Sequence, residues 1–117
     1  SRIYFALIEV GIARRLDGFD YLKEAIMLCL EDVDYQNNLS KRLYPAIARQ
    51  YNTSATCVER SIRHAVETAW LRGRLSVLQR EFGNTIDSER GKPTNSEFIA
   101  RMADKMRNGG AYLPGGE

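Results

Sequence analysis

Metal chemistry has almost nothing to work with in this sequence. It holds one histidine, His64, and two cysteines, Cys29 and Cys57, whereas a structural or catalytic metal centre needs three or four ligands. No metal and no cofactor are expected. Long apolar runs are also missing, and nothing approaches the roughly 20 consecutive apolar residues of a membrane span. A signal peptide is not expected either, because Glu9 interrupts the short apolar run that follows Arg2. The expected compartment is the cytoplasm. The sequence has no glycine-rich phosphate loop, no histidine paired with a nucleophile and no acid pair placed for a cleft, so an enzyme is not expected.

What the sequence does have is the composition of a single folded domain: 117 residues, 44% hydrophobic and 27% charged. Residues 1–108 are expected to form it, with 109–117, rich in glycine, as a flexible tail. The chain opens at Ser1 without an initiator methionine, which leads us to expect a piece of a longer protein. The net charge of +2 is unevenly spread. Residues 1–40 carry 4 Lys/Arg against 7 Asp/Glu, whereas residues 41–90 carry 9 against 5. A basic middle on a small domain points to an anionic partner, nucleic acid being the commonest.

The periodicity is helical nearly throughout, so the fold class is all-α, with about six helices. The spacing predicts helices over Ile3–Ile12 and Asp17–Asp34, then one over Leu39–Tyr51 that Pro45 should kink or divide. A long helix is expected over Ala55–Arg72 and a short one over Leu75–Phe82, with Ile86–Lys92 as a loop. The last runs from Thr94 to about Arg107, opened by the capping box Thr94-Asn95-Ser96-Glu97. Its charged residues Glu97, Arg101, Asp104 and Lys105 are the candidates for contact between two copies. Met102 and Met106 read as core fillers. Glu31, Asp32 and Asp34 lack the spacing of a calcium loop and read as surface charge.

The two helices joined at Asn52-Thr53-Ser54 carry the functional signal. A helix-turn-helix needs a small residue in its first helix, a turn that tolerates a left-handed residue, and a second helix with one polar face. Ala48, Asn52 and the stripe Val58, Ile62, Ala65, Val66, Ala69 supply these features. At 100° per residue, Thr56, Arg60, Arg63 and Glu67 fall opposite the stripe. An arginine fork fits the O6 and N7 edge of guanine, and Glu59 can accept a hydrogen bond from a cytosine amino group. On spacing alone, the two arginines read more readily as a solvated surface than as base readers. Thr56-x-x-Glu59 is also a capping-box pattern, so Glu59 is open between capping and reading. His64 lies beside that face and is open between a phosphate contact and a solvent position. Cys57, near the helix start, is open between an inert thiol and a redox-sensitive one.

The run Leu43-Tyr44-Pro45, Ile47-Ala48, Asn52-Thr53, Val58-Glu59-Arg60, Ile62-Arg63-His64-Ala65, Ala69-Trp70 and Arg72-Gly73 closely resembles the DNA-binding effector domains of sporulation response regulators. So does Lys92-Pro93-Thr94-Asn95-Ser96-Glu97-Phe98-Ile99-Ala100. The resemblance implies a sequence-specific transcription regulator of a two-component system. It would read a short, tandemly repeated promoter element and dimerise on the double-stranded DNA. Glu59, Arg60 and Arg63 match the family's base readers, and we take Thr56 and His64 with them as the DNA-binding set. A contact with the RNA polymerase sigma factor would fall on Gly73, Leu75, Phe82 and Ile86. The receiver that normally precedes such a domain is absent from these residues. Cys57 stands where a basic residue is expected, and Leu75–Gln79 departs from the family's polar run. The competing reading, from another class, is a helical protein-interaction module that binds polymerase or a regulator without reading DNA.

Overall fold

The computed structural model describes residues 1–72, 75–83 and 91–111. Six α-helices follow one another within them: α1 (Arg2–Glu9), α2 (Asp17–Glu31), α3 (Tyr44–Tyr51), α4 (Ala55–Arg72), α5 (Leu75–Phe82) and α6 (Asn95–Ala111). No strand occurs among the described residues, and the fold is all-α.

Helix α2 packs against α1, α3, α4 and α6, and its apolar stripe Phe19, Leu22, Ala25, Ile26 and Cys29 is almost fully buried. Burial pushes the Cys29 thiol up to about 11, so it stays protonated and acts as packing. The crossing with α4 is close because Gly18 has no side chain. A Cβ there would lie 2.3 Å from the Ser61 carbonyl oxygen and 2.8 Å from the Ala65 Cβ.

Helix α2 ends at Glu31, three residues before the expected Asp34. Asp32 leaves the helical region (φ −153°, ψ 110°), and its carboxylate accepts the Asp34 N–H at 3.0 Å, starting a 3-10 turn over Val33–Tyr35. All three acids of this end, Glu31, Asp32 and Asp34, are exposed, as expected of surface charge. Asp32 and Asp34 hold the Arg42 guanidinium at 3.1 and 2.7 Å, and it lies over the Tyr35 ring at 4.0 Å. The Asp34 N–H, with Arg42 behind it, keeps the Asp32 carboxyl below its ordinary value.

Pro45 divides the expected Leu39–Tyr51 helix. Residues Leu39–Leu43 form a wide π turn in which the Leu43 N–H reaches the Asn38 carbonyl at 3.0 Å. Helix α3 then begins at Tyr44 with Pro45 in its first turn, where an N–H has no helical partner to lose.

The capping box of α6 is present. Glu97 donates its N–H to Thr94 Oγ1 at 3.1 Å and accepts the Thr94 N–H at 2.9 Å. The helix continues to Ala111, past Arg107, so the tail boundary expected at residue 109 falls inside it. Residues 112–117 lie outside the described set. Several charged side chains of α6 are paired within the chain. Lys105 Nζ binds Glu81 Oε2 at 2.9 Å, and Arg101 Nε donates to the Glu81 carbonyl at 2.8 Å. Asp104 pairs with Arg107 at 2.7 Å. The two bonds to Glu81 fasten α5 to α6, and beneath them Phe82 stacks on Phe98 with centroids 5.3 Å apart.

Candidate nucleic-acid interface

The turn between α3 and α4 has the geometry its residues predict. Asn52 sits in the left-handed region (φ 55°, ψ 50°), its N–H and that of Thr53 both reaching the Ala48 carbonyl. Ser54 then caps α4, its Oγ accepting the Cys57 N–H at 3.0 Å. The cap is therefore Ser54, and the Thr56-x-x-Glu59 pattern is not a capping box. A serine two residues earlier had already taken the orphan N–H.

Helix α4 is anchored by Val58, Ile62, Ala65, Val66 and Ala69, each at most 1% exposed. On its outer side Thr56, Arg60, Arg63 and His64 are all exposed, with Glu59 and Glu67 partly so. Freed from capping, Glu59 binds Arg63, Oε2 to Nη1 at 2.8 Å. Glu67 faces Lys92 at 3.6 Å. Arg60 makes no ion pair or hydrogen bond among the described residues. The outer face thus offers one unpaired guanidinium and a second steered by a carboxylate one turn away. Cys57 is not on this face in the same sense: it is half-buried, with Sγ 4.0 Å from Ser61 Oγ.

Asn95 is a contributor the sequence did not single out. From the first turn of α6 its Nδ2 donates to Tyr44 Oη at 3.1 Å and to the Glu59 carbonyl at 3.2 Å. Burial raises the Tyr44 hydroxyl above its ordinary value, which keeps it neutral. One amide thereby ties α3, α4 and α6 together beside the outer face of α4. Its position inside a capping box was its only signal, and a solvated helix start gives the same signal.

A helix-turn-helix whose second helix carries exposed arginines on its outer side is the decisive geometry, and the family described as Sporulation initiation factor Spo0A C terminal matches residues 3–106. The chain belongs to that family. It is accordingly a DNA-binding domain of a sporulation transcription regulator. The Spo0A C-terminal match spans α1 to α5 and most of α6, and so includes every candidate residue on α4. Of the residues expected to meet a sigma factor, Gly73 and Ile86 lie outside the described set, as does the side chain of Leu75. Phe82 is described and is fully buried. Its ring fills the space between Trp70 and Phe98, so it backs α5 from inside and is not part of a docking surface.

Among the described residues, no group of three or more His, Cys, Asp or Glu side chains is arranged to hold a metal. Among the same residues no helix is long and apolar enough to cross a membrane.

Proposed function

We propose that this domain reads a short promoter element in the major groove of double-stranded DNA, with α4 as the reading helix. Arg60 and Arg63 address guanine edges. Glu59 orients Arg63 and accepts from a cytosine amino group, while Thr56 and His64 flank them toward the backbone. The observation that carries this reading is Arg60. It stands exposed and unpaired, opposite a stripe at most 1% exposed, on a helix launched by a left-handed asparagine. A protein-interaction module has no need of that isolation.

In the same reading, two copies occupy tandem elements, and a sigma factor of RNA polymerase is a partner. The setting is the cytoplasm, with no catalysis and no cofactor. Fluorescence anisotropy decides the central point, using a duplex recovered from a random pool by selection on this protein and a scrambled duplex of equal length. Preference for the selected duplex is expected; equal affinity for both would leave the interaction-module reading.

A further inference from the structure

The surface beside the reading helix is grooved. A cleft of about 460 Å³ runs along the Arg63 side of α4, and a second of about 300 Å³ adjoins it, the two sharing Leu39, Ser40 and Ser96. The larger reaches Lys92 and Thr94 at the start of α6, and the smaller reaches Lys41 and Asn38 at the π turn. Together they form one channel with a lysine toward each end and two exposed hydroxyls between them.

The chemistry of that lining is lopsided toward donors. Lys41 is exposed and makes no ion pair among the described residues. Lys92 is held only by a 3.6 Å contact to Glu67, a surface pairing of the kind worth little in water. Two carboxylates border the larger cleft, Glu59 bound to Arg63 and Glu67 in that loose contact with Lys92, so with Lys41 the channel carries three cationic side chains against two acids. Ammonium groups, hydroxyls and a side-chain amide along an open groove suit a chain of phosphodiesters. The groove is also continuous with the reading face, since Glu59, Arg63 and Glu67 form its wall. A helix lying in the major groove has a sugar–phosphate backbone along each side, and one must pass on the Arg63 side.

We infer that this channel seats the backbone of one DNA strand bordering the groove that α4 enters. Lys41 and Lys92 neutralise phosphates, and Ser40 and Ser96 donate hydrogen bonds to them. The inference rests on α4 being the reading helix, and it adds a second set of contacts that position the duplex without reading its sequence.

The test measures binding of the whole chain to the selected and scrambled duplexes across a salt series. Lys41→Ala and Lys92→Ala should each lower the magnitude of the log–log salt slope by about 0.9 and weaken both duplexes by the same factor. Ser96→Asp separates binding from folding. It lies at the second position of a capped helix, where the dipole favours an acid, so the melting temperature should not fall, yet the new charge should repel the strand and weaken both duplexes. Unchanged slopes together with wild-type affinity for Ser96→Asp would overturn the inference. So would losses confined to the selected duplex, which would make these side chains base readers. If the wild-type chain fails to prefer the selected duplex, base reading by α4 fails by itself, and the slopes still decide the channel.

Discussion

At the scale of the residue, the reading face turns on three side chains whose roles differ although they share one surface. Arg60 has no ion pair or hydrogen bond among the described residues, so its fork is available to a base edge without breaking any of them. Arg60→Ala should cost about 1–3 kcal/mol on the selected duplex and less on the scrambled one, since a base contact is lost and no phosphate contact is. In the proposed reading Arg63 reaches DNA while tethered to Glu59 at 2.8 Å. An exposed pair of this type adds only a few tenths of a kcal/mol to a helix, so Glu59→Gln should leave the melting temperature almost unchanged. What it should lose is the orientation of Arg63, seen as relaxed preference at one or two base positions in a repeated selection. Equal weakening of both duplexes by Arg60→Ala would reduce that residue to a phosphate clamp. The 100° periodicity was enough to place both arginines outward. It was not enough to assign Glu59, because a capping pattern and an ion-pairing pattern overlap in Thr56-x-x-Glu59, and only the geometry of Ser54 separates them.

At the scale of the element, the positions that matter are those where helices are allowed to turn or to touch. Asn52 holds a left-handed backbone at φ 55°, which disfavours ordinary L residues by about 1–2 kcal/mol. Asn52→Ala should lower stability by roughly 1 kcal/mol, whereas Asn52→Gly should be neutral or slightly stabilising. Gly18→Ala should do more harm, roughly 3 kcal/mol at the upper end for overpacking, because its Cβ would meet the backbone oxygen of Ser61. Thermal or denaturant melts check both. The attachment of α5 gives a pH signature. Burial pushes the Glu81 carboxyl up, but the Lys105 hydrogen bond and the charges of Lys105, Arg101 and Arg80 outweigh it and hold the group below its ordinary value. Its stabilisation is then complete above the usual carboxylate range and lost as the pH falls through the lowered value. Glu81→Gln should therefore destabilise at pH 7, on the order of 1 kcal/mol, and by less near pH 3. The helices themselves were legible, since α4 and α5 begin and end where their periodicity and flanking turns say. Boundaries failed where a polar side chain intervened, as when Asp32 stopped α2 early, and where glycine did not stop α6. The ties from Asn95 and Glu81 join residues 20 to 51 positions apart, and no local pattern encodes them.

At the scale of the whole molecule, the question is how much of the assembly on DNA is built in before DNA is present. The outer side of α4 is already exposed, so binding requires no rearrangement to uncover it, and the 117-residue chain should bind the selected duplex without phosphorylation. Pairing is a different matter. Two of the charged side chains of α6, Arg101 and Lys105, are engaged inside the molecule by Glu81. A dimer formed through these side chains in free solution would have to break those bonds first. On tandem elements, by contrast, two copies are brought together head to tail, so that unlike surfaces meet. A chain with 7 acidic against 4 basic residues in positions 1–40 and the reverse bias in 41–90 gains from such a meeting. The gain is electrostatic and exposed, and salt at 0.1 M screens it beyond about 10 Å. We therefore expect a monomer in analytical ultracentrifugation of the free chain, one molecule on a duplex with a single element, and two on a tandem duplex. The cooperativity between those two should be weak to moderate and should fall as salt is raised, over and above the loss of affinity at each element. A tight dimer without DNA, or cooperativity indifferent to salt, would show that the copies meet through an apolar surface.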